Sequence, residues 1–248
     1  MNLLNIPILK RLVPSIVRRY LMLIGKYKIN INLNNYIFEI DIRESIERKT
    51  YFIREYEKKR MDYLIQASEK IKSEILIDIG ANIGFYSILL SKYFKIIKSY
   101  EPNLRNFRVL NRNIKKNKLQ NKIQTFNYGL GNKKQILKGT SMTKGELFQT
   151  SGFSISEKNE HGEDVFVYIG DEVLDFKGKI LTIKIDVEGH ELFVLQGIEK
   201  TLKNNACIVQ IEIWDKNQRE IYAFLNNLDY KKTTSIDGDT YFSNTNLN

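Results

Sequence analysis

The sequence predicts an α/β protein with a mostly parallel, seven-stranded sheet, helices on both faces and a small N-terminal extension with a helix and a hairpin. Three observations lead to this fold class. Short apolar runs typical of buried strands alternate five times with amphipathic stretches typical of helices. Polar or glycine-containing turns follow the apolar runs. The last segment predicts two strands around Asp237-Gly238, and therefore an antiparallel end to the sheet.

The composition is typical of a folded domain. Of the 248 residues, 42% are hydrophobic and 27% charged, and the single cysteine excludes a disulfide framework. Two histidines leave little for a histidine-based metal site. The formal net charge of +10 favours nucleic acid, an anionic membrane or an anionic glycan as partner. Because Ile, Lys and Asn are common throughout, we attribute more of this charge to a coding bias.

We predict an N-terminal extension over residues 1–70 and an α/β domain over residues 71–248. Charged residues interrupt the apolar start of the chain, so we expect neither a membrane-spanning helix nor a cleaved signal. Ile16–Leu23 predicts a basic amphipathic helix. It would lie on an anionic membrane surface, or it would pack on the rest of the protein or on a second subunit. Packing is the favoured interpretation.

The remaining elements follow in order along the chain. Alternation around Asn34-Asn35 predicts a hairpin over Lys28–Ile42, and a charged helical stretch follows at about Glu44–Ser68. Five parallel strands are expected at Ile75–Ile79, Ile96–Tyr100, Ile123–Asn127, Ile180–Ile185 and Cys207–Ile213. Helices are expected at Phe85–Lys95, Leu104–Lys116, Glu191–Leu202 and Gln218–Leu228.

One long segment breaks this rhythm. Residues 131–178 are polar and contain a single alternating run, Val165–Ile169. Loops of this length in a compact domain are usually functional covers or disordered. The sequence leaves the role of residues 139–164 open.

The turn after the first parallel strand reads DIGANIG, residues 78–84. Gly80 and Gly84 allow a tight turn and a close approach of the backbone to a ligand. A dinucleotide-binding turn would have glycine where this chain has Asn82 and Phe85, and no P-loop lysine follows. The turn therefore argues against nicotinamide, flavin and nucleoside triphosphate ligands.

Glu101 ends the second parallel strand and follows Asp78 by 23 positions. A carboxylate about 20 residues past a glycine turn can accept hydrogen bonds from both hydroxyls of a ribose. A ribose acid without the pyrophosphate glycines indicates a nucleoside that carries no phosphate, and S-adenosylmethionine is the common one. An ordinary strand-to-helix turn is the alternative.

The fourth parallel strand ends in the run DVEGHE, residues 186–191. Three acids and a histidine so close to the glycine turn predict a reacting centre with candidates for a general base. Acids at a helix N-terminus are the structural alternative. A metal site formed by Asp186 and Glu188 is a further alternative. Because no further ligands are evident in the sequence, we predict no bound metal.

Four runs resemble the FkbM family of S-adenosylmethionine-dependent methyltransferases: ILIDIGANIGFYS, YEPNLRNFRVLNRNI, IKIDVEGHELFVLQG and VQIEIW. In order and spacing they cover Ile75 to Trp214, and FIREYE, residues 52–57, is similar to the family's preceding helix. The resemblance implies a Rossmann-like, class I methyltransferase domain that methylates hydroxyl oxygens of sugars, polyketides or related metabolites.

The resemblance also assigns residues to S-adenosylmethionine. Those that would line its methionine part are Asp78, Gly80, Ala81, Asn82 and Gly84. Glu101 would hold the ribose and Asn103 would lie around it, whereas Asn127 and Tyr128 would border the adenine. We expect the acceptor to contact Glu57, Glu212 and Trp214, although a single tryptophan is more often a core residue.

Our catalytic hypothesis uses the DVEGHE run. His190 would be the base, because its ordinary pKa near 6.5 suits neutral pH. Asp186 would orient it or the acceptor, and Glu188 is the second choice for the base.

Two other functions stay open. An RNA 2′-hydroxyl methyltransferase would use the positive charge, but the acidic DVEGHE turn repels phosphate, so we expect a small-molecule or glycan acceptor and no nucleic acid. A non-catalytic interaction module is the other alternative. We expect a cytoplasmic protein, with membrane contact only through the N-terminal helix, and the oligomeric state stays open.

Overall fold

The computed structural model of the chain describes residues 7–141, 153–156 and 161–247. The described residues form two compact units: a smaller one that contains the chain up to Tyr56 together with Ser141, and a larger one that contains Glu57–Thr140 and the described residues from Phe153 onwards. The division predicted at residue 70 stays a prediction. No helix among the described residues is long and apolar enough to cross a membrane.

The smaller unit contains the predicted hairpin. Its elements are α1 (Pro7–Leu23), β1 (Lys28–Leu33), β2 (Tyr36–Asp41) and α2 (Ser45–Ile53). Strands β1 and β2 pair antiparallel, and Asn34 and Asn35 between them have φ angles of 50° and 69°. A two-residue turn with both φ angles positive matches the twist of a hairpin, which explains the two asparagines.

The larger unit is built on the predicted seven-stranded sheet. Its strands are β3 (Ile75–Ile79), β4 (Ile96–Tyr100), β5 (Ile123–Phe126), β10 (Ile180–Ile185), β11 (Ala206–Glu212), β12 (Lys231–Ile236) and β13 (Asp239–Ser243). They lie in the order β12-β13-β11-β10-β3-β4-β5. The five strands from β11 to β5 are parallel to one another. Strand β13 is antiparallel to both of its neighbours, β11 and β12. The fold class predicted from the sequence is confirmed.

Helices cover both faces of this sheet. They are α3 (Lys58–Lys70), α4 (Phe85–Leu89), α5 (Leu104–Lys116), α6 (Gly170–Val173), α7 (Glu191–Gly197), α8 (Glu199–Asn204) and α9 (Gln218–Asn226). Helices α7, α8 and α9 bury their apolar residues against Ile77, Ile183 and Val209. Helices α3 and α4 lie on the opposite face, where Ser68 and Ser87 hydrogen-bond to polar strand residues.

A second sheet occupies part of residues 131–178, which the sequence pattern predicts to be a long polar loop. It contains β6 (Gly129–Gly131), β7 (Gln135–Ser141), β8 (Phe153–Ser156) and β9 (Glu163–Ile169), in the order β6-β9-β7-β8. Alternation of apolar and polar residues is limited to β9 and the four residues of β8, and the buried hydrophobic cluster in the described part of this sheet is Leu137, Val165 and Val167. So small a core leaves a weak sequence signal. Residues 142–152 and 157–160 lie outside the described residues.

The charged stretch predicted as one helix is two helices. The break between α2 and α3 contains Arg54 and Glu57, with φ angles of 58° and 39°. A left-handed backbone cannot continue a right-handed helix. Glu57 is the residue immediately before the first turn of α3.

Candidate functional site

The carboxyl ends of the parallel strands meet at one edge of the sheet. The turn after β3 and the turn after β10 touch there, because the backbone amide of Asp186 donates to the carbonyl of Ile79 at 3.0 Å. Gly80 has a φ of 83°, and a Cβ at this position would lie 1.8 Å from the carbonyl oxygen of Asp186. Only glycine allows this contact.

The glycine turn is tied to the end of the neighbouring strand β4. The amide of Ala81 donates to the carbonyl of Tyr100 at 2.9 Å, and the amide of Asn82 donates to Glu101 Oε2 at 2.7 Å. Asn82 and Gly84 both have positive φ, 51° and 95°. The turn is therefore an open backbone loop whose shape depends on the side chain of Glu101.

Glu101 is buried, with 5% of its surface exposed. Its second oxygen, Oε1, accepts from the amide of Asn103 at 2.9 Å. Burial raises the pKa of Glu101 to about 7, although the two backbone hydrogen bonds oppose the shift. A carboxylate has about four acceptor positions and the backbone uses two, which leaves capacity for two hydroxyl donors.

Asn103 and Asn127 support this turn from two sides. Asn103 caps helix α5 and donates through Nδ2 to Glu163 Oε1 at 2.5 Å. The Nδ2 group of Asn127 donates to the carbonyl of Glu101 at 2.9 Å. Both asparagines therefore use side-chain groups to hold the turn, and their predicted positions beside the ribose and the adenine stay predictions.

Aromatic rings line the edge beyond Glu101. The rings of Tyr100 and Phe126 stack at 4.8 Å, and Tyr128 lies 4.7 Å from Tyr168 between ring centroids. Tyr128 is half-buried, and burial raises its pKa, so it stays a neutral phenol. Such a group offers an apolar surface to a planar ring.

Asp78 lies beneath the glycine turn with none of its surface exposed. Its Oδ2 accepts from Ser87 Oγ at 2.5 Å, and Lys184 Nζ lies 3.7 Å from its Oδ1. Within the described part of the chain, Oδ1 has no hydrogen-bond partner. Burial raises the pKa of Asp78, and the charge of Lys184 opposes this shift.

The carboxyl groups of three residues lie close together beside the glycine turn: Asp186, Glu188 and Glu212. We call this part of the site the mouth. Burial and the charge of Asp186 raise the pKa of Glu188 to about 7. Burial also raises the pKa of Glu212 to about 8, with contributions from the charges of Asp186 and Asp239 and a hydrogen bond with Asp186. Glu188 holds a left-handed φ of 53°. Glu188 and Glu212 therefore exchange protons near neutral pH.

The side chain of His190 is buried and packs against Phe193. It is 7% exposed, its ring centroid is 4.7 Å from that of Phe193, and its Nε2 lies 3.4 Å from the Cβ position of Gly131. The imidazole is thus packed towards strand β6 of the second sheet. His190 lies in the DVEGHE run, but the sequence does not indicate that its side chain points towards β6.

Glu57 belongs to a polar network on the β11 side of the mouth. Glu57 Oε2 accepts from the hydroxyl of Tyr86 at 2.9 Å, and Glu57 Oε1 lies 3.0 Å from Arg60 Nη1. Arg60 also pairs with Asp239 at 3.3 Å, and Gln210 Nε2 donates to the hydroxyl of Tyr86 at 2.7 Å. This network is not evident in the sequence, because its members come from the four separate elements α3, α4, β11 and β13.

Trp214 follows Glu212 at the end of β11 and is half-buried. Lys216 Nζ lies 5.1 Å from the centroid of the indole ring. The same ammonium lies 3.6 Å from the Cβ position of Gly189, so it reaches the DVEGHE turn. Trp214 therefore lies close to the DVEGHE turn, and its contact with the acceptor stays a prediction.

Among the described residues, no group of three or more His, Cys, Asp or Glu side chains is arranged to hold a metal ion. Several carboxyl groups in this region instead pair with cations of the protein. Lys184 Nζ lies 3.1 Å from Asp186 Oδ2, and Arg60 pairs with Glu57 and Asp239.

Comparison with known proteins gives one family and several relatives. A sequence model described as "Methyltransferase FkbM domain" matches residues 78–232. Hexuronic acid methyltransferase AglP of Haloferax volcanii is 28% identical over 152 residues, which are 58% of this chain and 58% of that protein. The chain therefore spans 58% of the length of this curated relative.

Two solved structures are similar to parts of the chain. Methyltransferase FkbM from Methylobacillus flagellatus is 20% identical with a TM-score of 0.49, over 68% of this chain and 43% of that one. A human methyltransferase 10 domain containing protein is 12% identical with a TM-score of 0.49, over 93% of this chain and 95% of that one.

Because Gly80 contacts the backbone of Asp186, we expect Gly80→Ala to lower the free energy of unfolding. A positive φ costs a non-glycine residue about 1–2 kcal/mol, and the overlap with a backbone carbonyl adds to this cost. Gly178→Ala is the matched control, because Gly178 has a φ of 64° and open space at its Cβ position. Urea unfolding should show a larger loss of the free energy of unfolding for Gly80→Ala. Equal losses for the two variants would contradict the contact.

Proposed function

The chain belongs to the FkbM family of S-adenosylmethionine-dependent methyltransferases, and we propose that it transfers a methyl group to a hydroxyl oxygen of a sugar, a glycan or a related metabolite. The observation that carries this proposal is the buried Glu101, which shapes the glycine turn and keeps acceptor capacity for two hydroxyls.

The residues of the glycine turn fit S-adenosylmethionine. Glu101 would hold the ribose, with Asn103 beside it, and the aromatic group at Tyr128 offers a surface for the adenine. Asn127 would act through its hydrogen bond to the carbonyl of Glu101. The methionine part would lie over Asp78, Gly80, Ala81, Asn82 and Gly84. Oδ1 of Asp78 accepts no hydrogen bond from the described residues, and its ion-pair partner Lys184 Nζ lies 3.7 Å away, so it keeps an acceptor position suited to an ammonium group.

S-adenosylmethionine supplies a methyl group that its sulfonium already activates. The chain therefore has to align the acceptor oxygen and remove its proton, and alignment alone is worth about 7–11 kcal/mol in favourable cases. The glycine turn and the DVEGHE turn are in direct contact at Gly80, so a donor on one turn lies beside the carboxyl groups of the other.

A sugar acceptor is supported by the groups around the mouth. Glu57 and Glu212 offer carboxylate oxygens to hydroxyl donors, and the half-buried ring of Trp214 offers a flat apolar surface. The name of the Haloferax relative, a hexuronic acid methyltransferase, points to the same acceptor class. The crowding of Asp186, Glu188 and Glu212 opposes a nucleic-acid acceptor, because it repels phosphate.

Two side chains are candidates for the base. Glu188 is partly exposed at the mouth with a pKa of about 7, which is suited to accepting a proton at neutral pH. His190, the first choice from the sequence, is buried against the second sheet. These observations favour Glu188 as the base and Asp186 as the group that orients the acceptor.

Glu101→Gln tests the proposal. The variant loses the negative charge and one acceptor oxygen, so we expect the affinity for S-adenosylhomocysteine in titration calorimetry to fall about tenfold or more. Transfer of a labelled methyl group from S-adenosylmethionine to sugars and envelope glycans of cells that lack the gene should fall with it. Glu199→Gln, which removes an exposed ion pair with Lys203, is the control. Wild-type protein that binds no S-adenosylhomocysteine would contradict the proposal.

The pKa of Glu188 sets a pH dependence. The base must be ionised to accept a proton, and the pKa of Glu188 is about 7, so methyl transfer should fall below pH 7 by about tenfold per pH unit. Glu188→Gln should abolish most of the transfer, and His190→Gln should keep both the activity and the acid limb. Loss of the acid limb in His190→Gln, with activity retained in Glu188→Gln, would identify His190 as the base instead.

We also propose that helix α1 lies on an anionic membrane surface. Ile16, Tyr20 and Leu23 form one stripe and are 63%, 60% and 85% exposed. Arg19 is exposed beside them, and residues 1–38 contain six lysines and arginines and no acid. A basic helix with an exposed apolar stripe is suited to the headgroup region. The protein would then act from the cytoplasmic side.

Vesicle sedimentation tests this placement. Wild-type protein should sediment with phosphatidylglycerol vesicles and much less with phosphatidylcholine vesicles, and high salt should weaken binding. Leu23→Gln should reduce binding several-fold. Exposed Ile136 lies on β7, and Ile136→Gln is the control. Vesicle binding that is unchanged in Leu23→Gln, or a Leu23-dependent dimer in place of vesicle binding, would contradict membrane contact.

A further inference from the structure

Lys184 is a cation in the interior of the seven-stranded sheet. It lies in β10, with Asp78 on β3 and Gln210 on β11 as its lateral neighbours, and its side chain is 6% exposed. Lysine is rarely buried in this way, because an unpaired charge in a protein interior is very costly. In the sequence it is the only charged residue of the run ILTIKI, residues 180–185.

The ammonium group of Lys184 contacts both turns of the site. Nζ donates to the carbonyl oxygen of Gly80 at 3.2 Å and to Asp186 Oδ2 at 3.1 Å. It also lies 3.7 Å from Asp78 Oδ1 and 5.0 Å from the centre of the Tyr86 ring. Each oxygen that it contacts belongs to the glycine turn, to the strand just before it or to the DVEGHE turn.

The position of Lys184 explains how the two turns keep their contact. Because Gly80 has no side chain, it contributes only backbone to the contact with Asp186. The Gly80 carbonyl oxygen has a partial negative charge and the Asp186 carboxylate a full one, so the two oxygens would repel each other without a cation between them. The charges of Asp186 and Asp78 raise the pKa of Lys184 against the effect of burial, so the cation persists at neutral pH.

We propose that Lys184 is a positioning residue, which holds the glycine turn against the DVEGHE turn in the arrangement that binds the methyl donor. It acts through Gly80 and Asp186 and, being buried under both turns, does not contact the donor. This inference rests on the proposed function, because it assigns the donor to the glycine turn.

Lys184→Met keeps much of the side-chain volume and removes the charge. We expect the affinity for S-adenosylhomocysteine, measured by titration calorimetry, to fall at least tenfold. Lys203→Met, which removes an exposed lysine paired with Glu199, should stay within twofold of the wild type. Circular dichroism and gel filtration show whether each variant is folded.

A second pair of variants separates positioning from a general role in stability. Lys184→Met leaves Asp78 buried without its cation, which destabilises a fold strongly, whereas removal of both charges is often tolerated. The double variant Lys184→Met/Asp78→Asn should therefore regain stability towards urea. Its affinity for S-adenosylhomocysteine should nevertheless stay at least tenfold below that of Asp78→Asn alone, because the links to Gly80 and Asp186 are still missing.

The outcomes distinguish this inference from the proposed function. If the double variant binds S-adenosylhomocysteine as tightly as Asp78→Asn, Lys184 only balances a buried charge and the positioning role is wrong. If wild-type protein binds and Lys184→Met stays within twofold of it, the inference also fails while the proposed function stands. If the wild type does not bind, both fail.

Discussion

Parallel pairing of β3 with β4 and β10 brings the ends of three strands to one edge of the sheet, and the site depends on this pairing. The turns at that edge come so close that the backbone of Asp186 occupies the space of a side chain at Gly80. A donor held by one turn therefore lies beside the carboxyl groups of the other. Catalysis by alignment needs this kind of fixed geometry, because small displacements of reacting groups cost large factors in rate.

Burial dominates the electrostatics of the site. Desolvation is the largest influence on the pKa of Asp78, Glu101, Glu188 and Glu212, and it raises all four. The chain offsets this cost locally, with backbone amides at Glu101 and with the Lys184 ammonium at Asp78. These contacts hold Glu101 and Asp78 in position, whereas Glu188 lies partly exposed beside the glycine turn with a pKa of about 7.

The sequence predicted the seven-stranded sheet because buried strands and amphipathic helices leave strong periodic signals. It also predicted which residues follow β3, β4 and β10, since parallel strands place these turns at one edge. Two features were missed for physical reasons. Among the described residues, the second sheet has a hydrophobic cluster of its own with only three buried residues, and the network of Glu57 and Arg60 joins four elements distant in sequence. His190 shows a further limit, because spacing does not give the direction of a side chain.

We propose above that the edge formed by Gly80 and Glu101 binds S-adenosylmethionine through its ribose. A crystal structure of the protein with S-adenosylhomocysteine is the decisive test. Both ribose hydroxyls are expected within hydrogen-bond distance of the Glu101 carboxylate, and the homocysteine part over the turn at residues 80–84. A nucleoside bound elsewhere, or at this edge with its ribose turned away from Glu101, would contradict it.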